Sequence, residues 1–275
     1  MARRPAEGLD PALRKRISAG ASLAVVAIGD VLLGGWFFAA LLLVAVVVMA
    51  SEWARLAGNP DPAVRRLVLW PSILIPAAAI VLGMNDAMPA ALMLLGAGCA
   101  VSAGLAALVR GAPVNRTAGG VLYIGLPTLA LLWLRNTSEG AALVLWLFFV
   151  VWATDTCAYF AGRTIGGPRL APTLSPKKTW AGLGGGMLGA ALVGGAFTLG
   201  RGGAVLWAAA FAAALAVVAQ LGDLFESWLK RRVDVKDSGD LIPGHGGLLD
   251  RVDGLLFAAP AFAAAVLLSA PVSSP

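Results

Sequence analysis

Recurrent apolar runs constrain the fold of this chain more than any other feature of its sequence. Nine of them approach or reach the length that a helix needs to cross a bilayer, and only 13% of the 275 residues are charged. A soluble domain of this size carries about twice that charged fraction. The sequence therefore predicts an all-α, polytopic helical membrane protein with about nine transmembrane helices, near residues 17–33, 35–54, 67–84, 88–109, 119–134, 141–162, 180–199, 204–221 and 255–270.

The basic residues predict how these helices are oriented. If the N-terminus is cytoplasmic, 19 of the 21 Lys and Arg residues fall on the cytoplasmic side, and only Arg135 and Arg201 fall on the other. We therefore expect residues 1–140, with helices one to five, to form a scaffold. Residues 141–275, with helices six to nine, should carry catalytic loops that open to the cytoplasm. In a membrane protein the distribution of charge matters more than the net charge of +6, and we expect no nucleic-acid partner.

Acidic residues cluster at the end of the eighth predicted helix. Asp223, Glu226, Ser227 and Lys230 share one helical face by their spacing. Glu226 and Lys230 are expected to form a surface pair that holds the helix end. Asp223 lies inside the apolar boundary, where an unpaired carboxylate is costly, so it needs a cation or an arginine as partner.

A second acidic cluster, Asp250 and Asp253, stands at the entry to the ninth predicted helix. Helix capping accounts for one of these aspartates but not for the whole set. Carboxylates that face each other from two helix ends suit Mg²⁺, which prefers oxygen ligands and shares them with phosphates.

A glycine-rich turn, residues 243–247, separates the two acidic clusters. Glycine reaches positive φ, so successive backbone N–H groups can converge on an anion. Alone, this segment is typical of a flexible turn; beside Lys236 and Arg251 it is predicted to cradle a phosphate. His245 has two equal interpretations, a contact to phosphate and a tie that holds the loop.

A second basic motif, SPKKTW, opens the seventh predicted helix. Ser175 is the expected N-cap, with Pro176 as the first helical residue. Lys177 and Lys178 at a helix N-terminus would attract phosphate. The alternative is the basic flank common to membrane helices, with Trp180 as the interfacial anchor.

Asp155 lies near the cytoplasmic end of the sixth predicted helix, and an aspartate at this depth should face the protein interior or a polar cavity. It begins a D-x-x-A-Y-x-x-G-R pattern that ends at Arg163. Together with the SPKKTW segment and the region after Asp223, this pattern resembles the phosphatidate cytidylyltransferases (CDP-diacylglycerol synthases). The signature positions matched are Ser227, Lys230, Arg231, Lys236, Asp237, His245, Gly246, Gly247, Asp250, Arg251 and Asp253.

The resemblance implies an enzyme that joins CTP to phosphatidic acid, giving CDP-diacylglycerol and pyrophosphate. It further implies a homodimer in the bacterial inner membrane, with the active site at the cytoplasmic face. Residues 52–55 are compatible with the resemblance but add little to it.

The resemblance also implies Mg²⁺, carried first by Asp223 and Asp250 with support from Asp253 and Asp237; a second cation, monovalent or divalent, stays open. The catalytic residues it implies are Asp223, Asp250, Lys230, Arg251 and Lys236. The substrate-binding residues it implies are Ser175, Lys177, Lys178, Thr179, Ser227, Arg231, His245, Gly246, Gly247 and Asp155.

Two other functions stay open at this point. A CTP-dependent lipid kinase of the dolichol or phytol type would transfer the γ-phosphate to an alcohol and would need a base. A secondary transporter would couple ions through its intramembrane acids, but these acids lie at one face and no inverted repeat is visible.

Overall fold

The computed structural model describes residues 11–240 and 246–269. In those residues it contains nine helices, and α2 to α9 are each long and apolar enough to cross a membrane. The apolar part of α1 described at side-chain level, Gly20–Leu33, is shorter. The polytopic helical membrane fold is thereby confirmed. The helices are α1 Pro11–Leu33, α2 Gly35–Leu56, α3 Pro62–Met84, α4 Met88–Leu108, α5 Val114–Asn136, α6 Gly140–Thr164, α7 Trp180–Leu199, α8 Val205–Arg232 and α9 Leu249–Ser269.

A short β-hairpin between α6 and α7 departs from the all-α prediction. Strand β1, Arg169–Ala171, pairs antiparallel with β2, Ser175–Thr179. Proline lacks an N–H but tolerates extended backbone at the edge of a sheet, so Pro176 fits this strand.

The predicted N-cap at Ser175 is therefore wrong. Thr179 caps α7 instead: its backbone is extended, and its Oγ1 accepts a hydrogen bond from the N–H of Gly182 at 3.0 Å. Ser175 lies four residues before this cap, paired in register with Ala171.

Helix α5 lies in the middle of the bundle, because it contacts α2, α3, α4, α6 and α9. Helices α6, α7, α8 and α9 pack in sequence on one side of it. The α6–α7 interface is close because glycines face α6: a Cβ at Gly186 would lie 3.0 Å from the carbonyl oxygen of Thr154.

The polar residues converge at one end of the bundle, which we call the charged end. The C-terminal turns of α2 and α8, the first turn of α9 and the hairpin all meet there. Contacts from Glu52 to Leu249, from Lys178 to Asp223 and from Lys230 to Asp250 connect these four elements.

Candidate active site

The first ion pair at the charged end joins the hairpin to α8. Lys178 Nζ lies 2.5 Å from Asp223 Oδ2 and 3.0 Å from Gln220 Oε1, and both side chains of the pair are largely buried. The Ser227 hydroxyl approaches Asp223 Oδ1 at 3.5 Å. Asp223 therefore has the cationic partner that its position in an apolar helix required, and this partner is a lysine of the SPKKTW segment.

The second ion pair joins α8 to α9. Lys230 Nζ lies 2.6 Å from Asp250 Oδ1, and Asp250 Oδ2 accepts hydrogen bonds from Ser238 N at 2.8 Å, Ser238 Oγ at 2.9 Å and Gly247 N at 2.8 Å. Both oxygens of Asp250 are thus engaged by the protein. This carboxylate fixes the loop between α8 and α9.

The predicted pair between Glu226 and Lys230 is present, but it is buried and does not lie at the surface as predicted. The Glu226 side chain is 0% exposed, and its Oε1 lies 3.5 Å from Lys230 Nζ. Neither of its oxygens accepts a hydrogen bond from a described residue. A carboxylate in this state is costly to bury, which is typical of a functional site rather than of a helix end held together at the surface.

Glu52 is a residue of this site that the sequence prediction missed. It lies in α2, within the half predicted to be scaffold, and its side chain accepts hydrogen bonds from Leu248 N and Leu249 N, each at 2.8 Å. Ser238 Oγ approaches its Oε2 at 3.2 Å. A signal existed: Glu52 is an acid within an apolar run, and the argument that required a partner for Asp223 applies to it equally.

The described part of the glycine-rich turn binds carboxylates of the protein itself. The N–H groups of Gly247, Leu248 and Leu249 point at Asp250 and Glu52. Gly246 has φ of 80°, and a Cβ at Gly247 would lie 2.6 Å from Glu52 Oε1, so these glycines permit the close approach. A substrate phosphate would have to contact other atoms of the loop.

Two further aspartates complete the acidic surface. Asp155 of α6 is exposed, and its charge is within range of Asp223, Lys178 and Arg251, which belong to three other elements. Asp253 is partly buried and interacts with the charges of Asp223 and Asp155. Asp155 thus lies near charged side chains of the hairpin, α8 and α9, and its role in substrate binding stays a prediction.

Other predicted residues lie exposed at the charged end. Lys177, Lys236 and Asp237 are exposed, and the Nε of Arg231 reaches Leu174 O in the hairpin at 3.5 Å. Thr179 is engaged as the cap of α7. His245 lies outside the described residues.

The fit of a cation to this site follows from its oxygen donors. Five acidic side chains lie near one another and near Lys178, Lys230 and Arg251; these are Asp155, Asp223, Glu226, Asp250 and Asp253. Mg²⁺ is a hard cation that binds oxygen ligands such as carboxylates. No three His, Cys, Asp or Glu side chains within residues 11–240 and 246–269 already converge as a metal-binding group.

Fold and site together define a polytopic membrane protein with buried ion pairs and a group of acidic side chains at one end of its bundle. The model of the cytidylyltransferase family matches residues 14–269, and the chain belongs to that family. It is 38% identical to the phosphatidate cytidylyltransferases of Brucella suis biovar 1 (strain 1330) and Brucella abortus biovar 1 (strain 9-941), over 256 residues that cover 90% of each chain. It is 39% identical to the phosphatidate cytidylyltransferase of Rickettsia bellii (strain RML369-C) over 149 residues, 51% of this chain and 64% of the relative.

These comparisons confirm the resemblance that the signature residues suggested. The matched range, residues 14–269, reaches from the first turn of α1 to the end of α9, so it includes the elements that contribute Glu52, Lys178, Asp223 and Asp250. The protein is accordingly an enzyme of the nucleotidyltransferase class.

Proposed function

We propose that this protein transfers CMP from CTP to phosphatidic acid, giving CDP-diacylglycerol and pyrophosphate. The observation that carries the proposal is the ion pair between Lys178 and Asp223. It brings the SPKKTW strand onto the same face of α8 as Lys230 and its partner Asp250. The Brucella relatives are phosphatidate cytidylyltransferases, and this supports the choice of phosphatidate as acceptor.

The chemistry places two demands on these residues. Two polyanions must approach each other, and an oxygen of the lipid phosphate must attack the α-phosphorus in line with the departing pyrophosphate. Lys178, Lys230 and Arg251 offset the repulsion between the phosphates, and Lys177 and Lys236, exposed at the rim, attract the triphosphate. A phosphate monoester has a second pKa of about 6, so it is largely dianionic at neutral pH and needs no general base.

The acidic residues supply the counterpart of this positive charge. We propose that Asp223 and Asp250, with Asp253 and Asp237 in support, hold Mg²⁺, which when bound would neutralise charge on the triphosphate and on the leaving pyrophosphate. For Asp250 this requires Lys230 to share its carboxylate, because both oxygens are engaged. A second cation, monovalent or divalent, is compatible with the number of acidic side chains in this group.

We further propose that the charged end faces the cytoplasm, that the N-terminus lies on the same side, and that the protein is a homodimer in a bacterial inner membrane. The nucleotide is cytoplasmic, so the loops that bind it must open there. The asymmetry of Lys and Arg supports this orientation.

The experiment that tests the reaction uses purified protein with Mg²⁺, phosphatidic acid and CTP labelled separately at the α- and γ-phosphorus. We expect α-label in a lipid product together with release of pyrophosphate. Label from the γ-position in lipid would replace the proposal with a lipid kinase. Transfer from neither position would favour the transporter interpretation.

A further inference from the structure

A cavity of about 640 Å³ opens at the charged end, on the face of α8 that is turned away from the candidate active site. Phe225, Trp228 and Arg232 line it with spacing i, i+3 and i+7. The active-site face has the same i, i+3 and i+7 spacing, shifted by two residues toward the N-terminus, from Asp223 to Lys230. Two residues rotate a helix by about 200°, so one stretch of α8 presents two opposite functional faces.

Two arginines meet at this cavity without a carboxylate partner among the described residues. Arg116, in the first turn of α5, donates from Nη1 to the carbonyl oxygens of Leu56, at 3.1 Å, and Ala57. Arg232 holds its guanidinium 4.2 Å from the centroid of the Trp228 ring. The two positive charges act on each other. An anion bound beside both would relieve their repulsion and accept their remaining N–H groups.

The rest of the wall is mainly aromatic. The Tyr123 ring centroid lies 5.0 Å from that of Trp53 and 5.3 Å from that of Phe225, and the Phe225 and Trp228 rings are 5.6 Å apart. An occupant that satisfies this wall must combine an anionic group with an apolar body.

We propose that this arginine–aromatic cavity, defined by Trp53, Arg116, Tyr123, Phe225, Trp228 and Arg232, binds the head group of an anionic glycerophospholipid. The phosphate would lie at the two guanidinium groups, whose geometry suits phosphate oxygens. The glycerol and the first acyl carbons would lie against the aromatic rings, since Trp and Tyr favour the membrane interface.

The site is distinct from the one that carries the reaction. The Tyr123 ring, packed against Trp53, Phe225 and Phe257, forms part of the wall between the cavity and the acidic residues. A lipid phosphate held at Arg232 would lie on the face of α8 opposite Asp223. The bound lipid is therefore a resident of the membrane and not the acceptor.

The test measures lipid binding to the full-length protein by native mass spectrometry after removal of lipid. The probes are phosphatidylglycerol and phosphatidylcholine with the same acyl chains, each added with and without excess CTP and inorganic phosphate. Phosphatidylglycerol is a phosphodiester, so it has the anionic head group without the monoester of the proposed acceptor.

We compare Arg232→Gln with Arg65→Gln, which removes an exposed arginine at the start of α3, outside this cavity. Losing one charge-assisted contact to phosphate should weaken phosphatidylglycerol binding about tenfold or more in Arg232→Gln and leave it unchanged in Arg65→Gln. The double variant Arg116→Gln with Arg232→Gln should lose the preference for phosphatidylglycerol over phosphatidylcholine.

Three results would overturn the proposal. Equal affinity for the two lipids in the unmodified protein would mean that no phosphate charge is recognised. Wild-type affinity in Arg232→Gln would remove the cavity as the site. Displacement of the lipid by CTP or by inorganic phosphate would assign the arginines to a soluble phosphate instead.

Discussion

At the scale of single residues, the site is built on carboxylates that differ in what they already contact. Asp223 has one lysine and remains partly exposed, with its side chain at 30%. Asp250 and Glu52 are almost fully enclosed and bind the backbone of the loop between α8 and α9. The proposed metal role of Asp250 therefore requires it to bind the loop as well, whereas Asp223 makes no hydrogen bond to the described part of that loop. Substitutions of Asp223 and of Glu52 should separate loss of the reaction from loss of the loop geometry.

Asp223→Asn should abolish the transfer reaction without unfolding the protein. The amide keeps the size of the side chain but removes the charge opposite Lys178, and loss of one such electrostatic contact costs about a hundredfold or more in kcat. The measurement is kcat alongside the melting temperature in detergent. Asp86→Asn is the matched control: Asp86 is exposed and has φ of 59°, which asparagine also accepts. Full activity in Asp223→Asn would remove this residue from the metal and catalytic assignments.

Glu52→Gln should lower both stability and activity. A glutamine has one acceptor oxygen, so one of the N–H groups of Leu248 and Leu249 would face an amide NH₂ and lose its partner, at a cost of about 1–3 kcal/mol. A lower melting temperature and a lower kcat are the expected results. Glu139→Gln is the control, since Glu139 pairs with Arg201 at an exposed site where such a pair contributes about 0–1 kcal/mol. Equal melting temperatures for the two variants would contradict the role given to Glu52.

At the scale of elements, the hairpin distinguishes two neighbouring lysines that look equivalent in the sequence. Side chains alternate along a strand, so Lys177 is exposed while Lys178 points at α8. A helical N-terminus, as the sequence predicted, would have given both lysines similar access to phosphate. The strand therefore predicts different roles for the two lysines.

Lys178→Ala should therefore impair the reaction more than Lys177→Ala. Without Lys178, Asp223 loses its lysine partner, and the site loses a positive charge that offsets the repulsion between the phosphates. We expect a large fall in kcat/KM for Lys178→Ala and a smaller rise in the KM for CTP for Lys177→Ala. Kinetics with each substrate varied in turn provide the measurement, and the order of the two effects is the discriminating result. The reverse order would show that the exposed lysine is the one that meets the transition state.

At the scale of the whole molecule, the sequence predicted the features that depend on neighbouring residues alone, namely the apolar spans and the helical faces. The predicted span 180–199 coincides with α7, and the helical face from Asp223 to Lys230 lies on α8 as its periodicity required. Periodicity gave no sign of the hairpin, because β1 is three residues long and is defined by pairing with β2. It also gave no partner for Glu52, whose hydrogen bonds reach residues 196 and 197 positions away.

The orientation of the bundle gives a prediction at this same scale. In a chain with Cys99→Ala and Cys157→Ala, Ser138→Cys between α5 and α6 should react with a membrane-impermeant maleimide in intact spheroplasts. Thr173→Cys in the hairpin should react only after the membrane is permeabilised. Both residues are exposed, so access differs by side alone. Labelling of Thr173→Cys in intact spheroplasts would reverse the proposed orientation.

The bond from Glu52 to the loop before α9 also fixes when the site can form during synthesis. Leu248 and Leu249 follow Glu52 by 196 and 197 residues, so at about 5–20 residues per second the ribosome adds them roughly 10–40 s later. Until then the carboxylate of α2 lacks the donors that complete its burial. A chain interrupted before α9 therefore has α2, the hairpin and α8 but lacks the backbone donors for Glu52. The proposed site can be completed only after α9 has been synthesised.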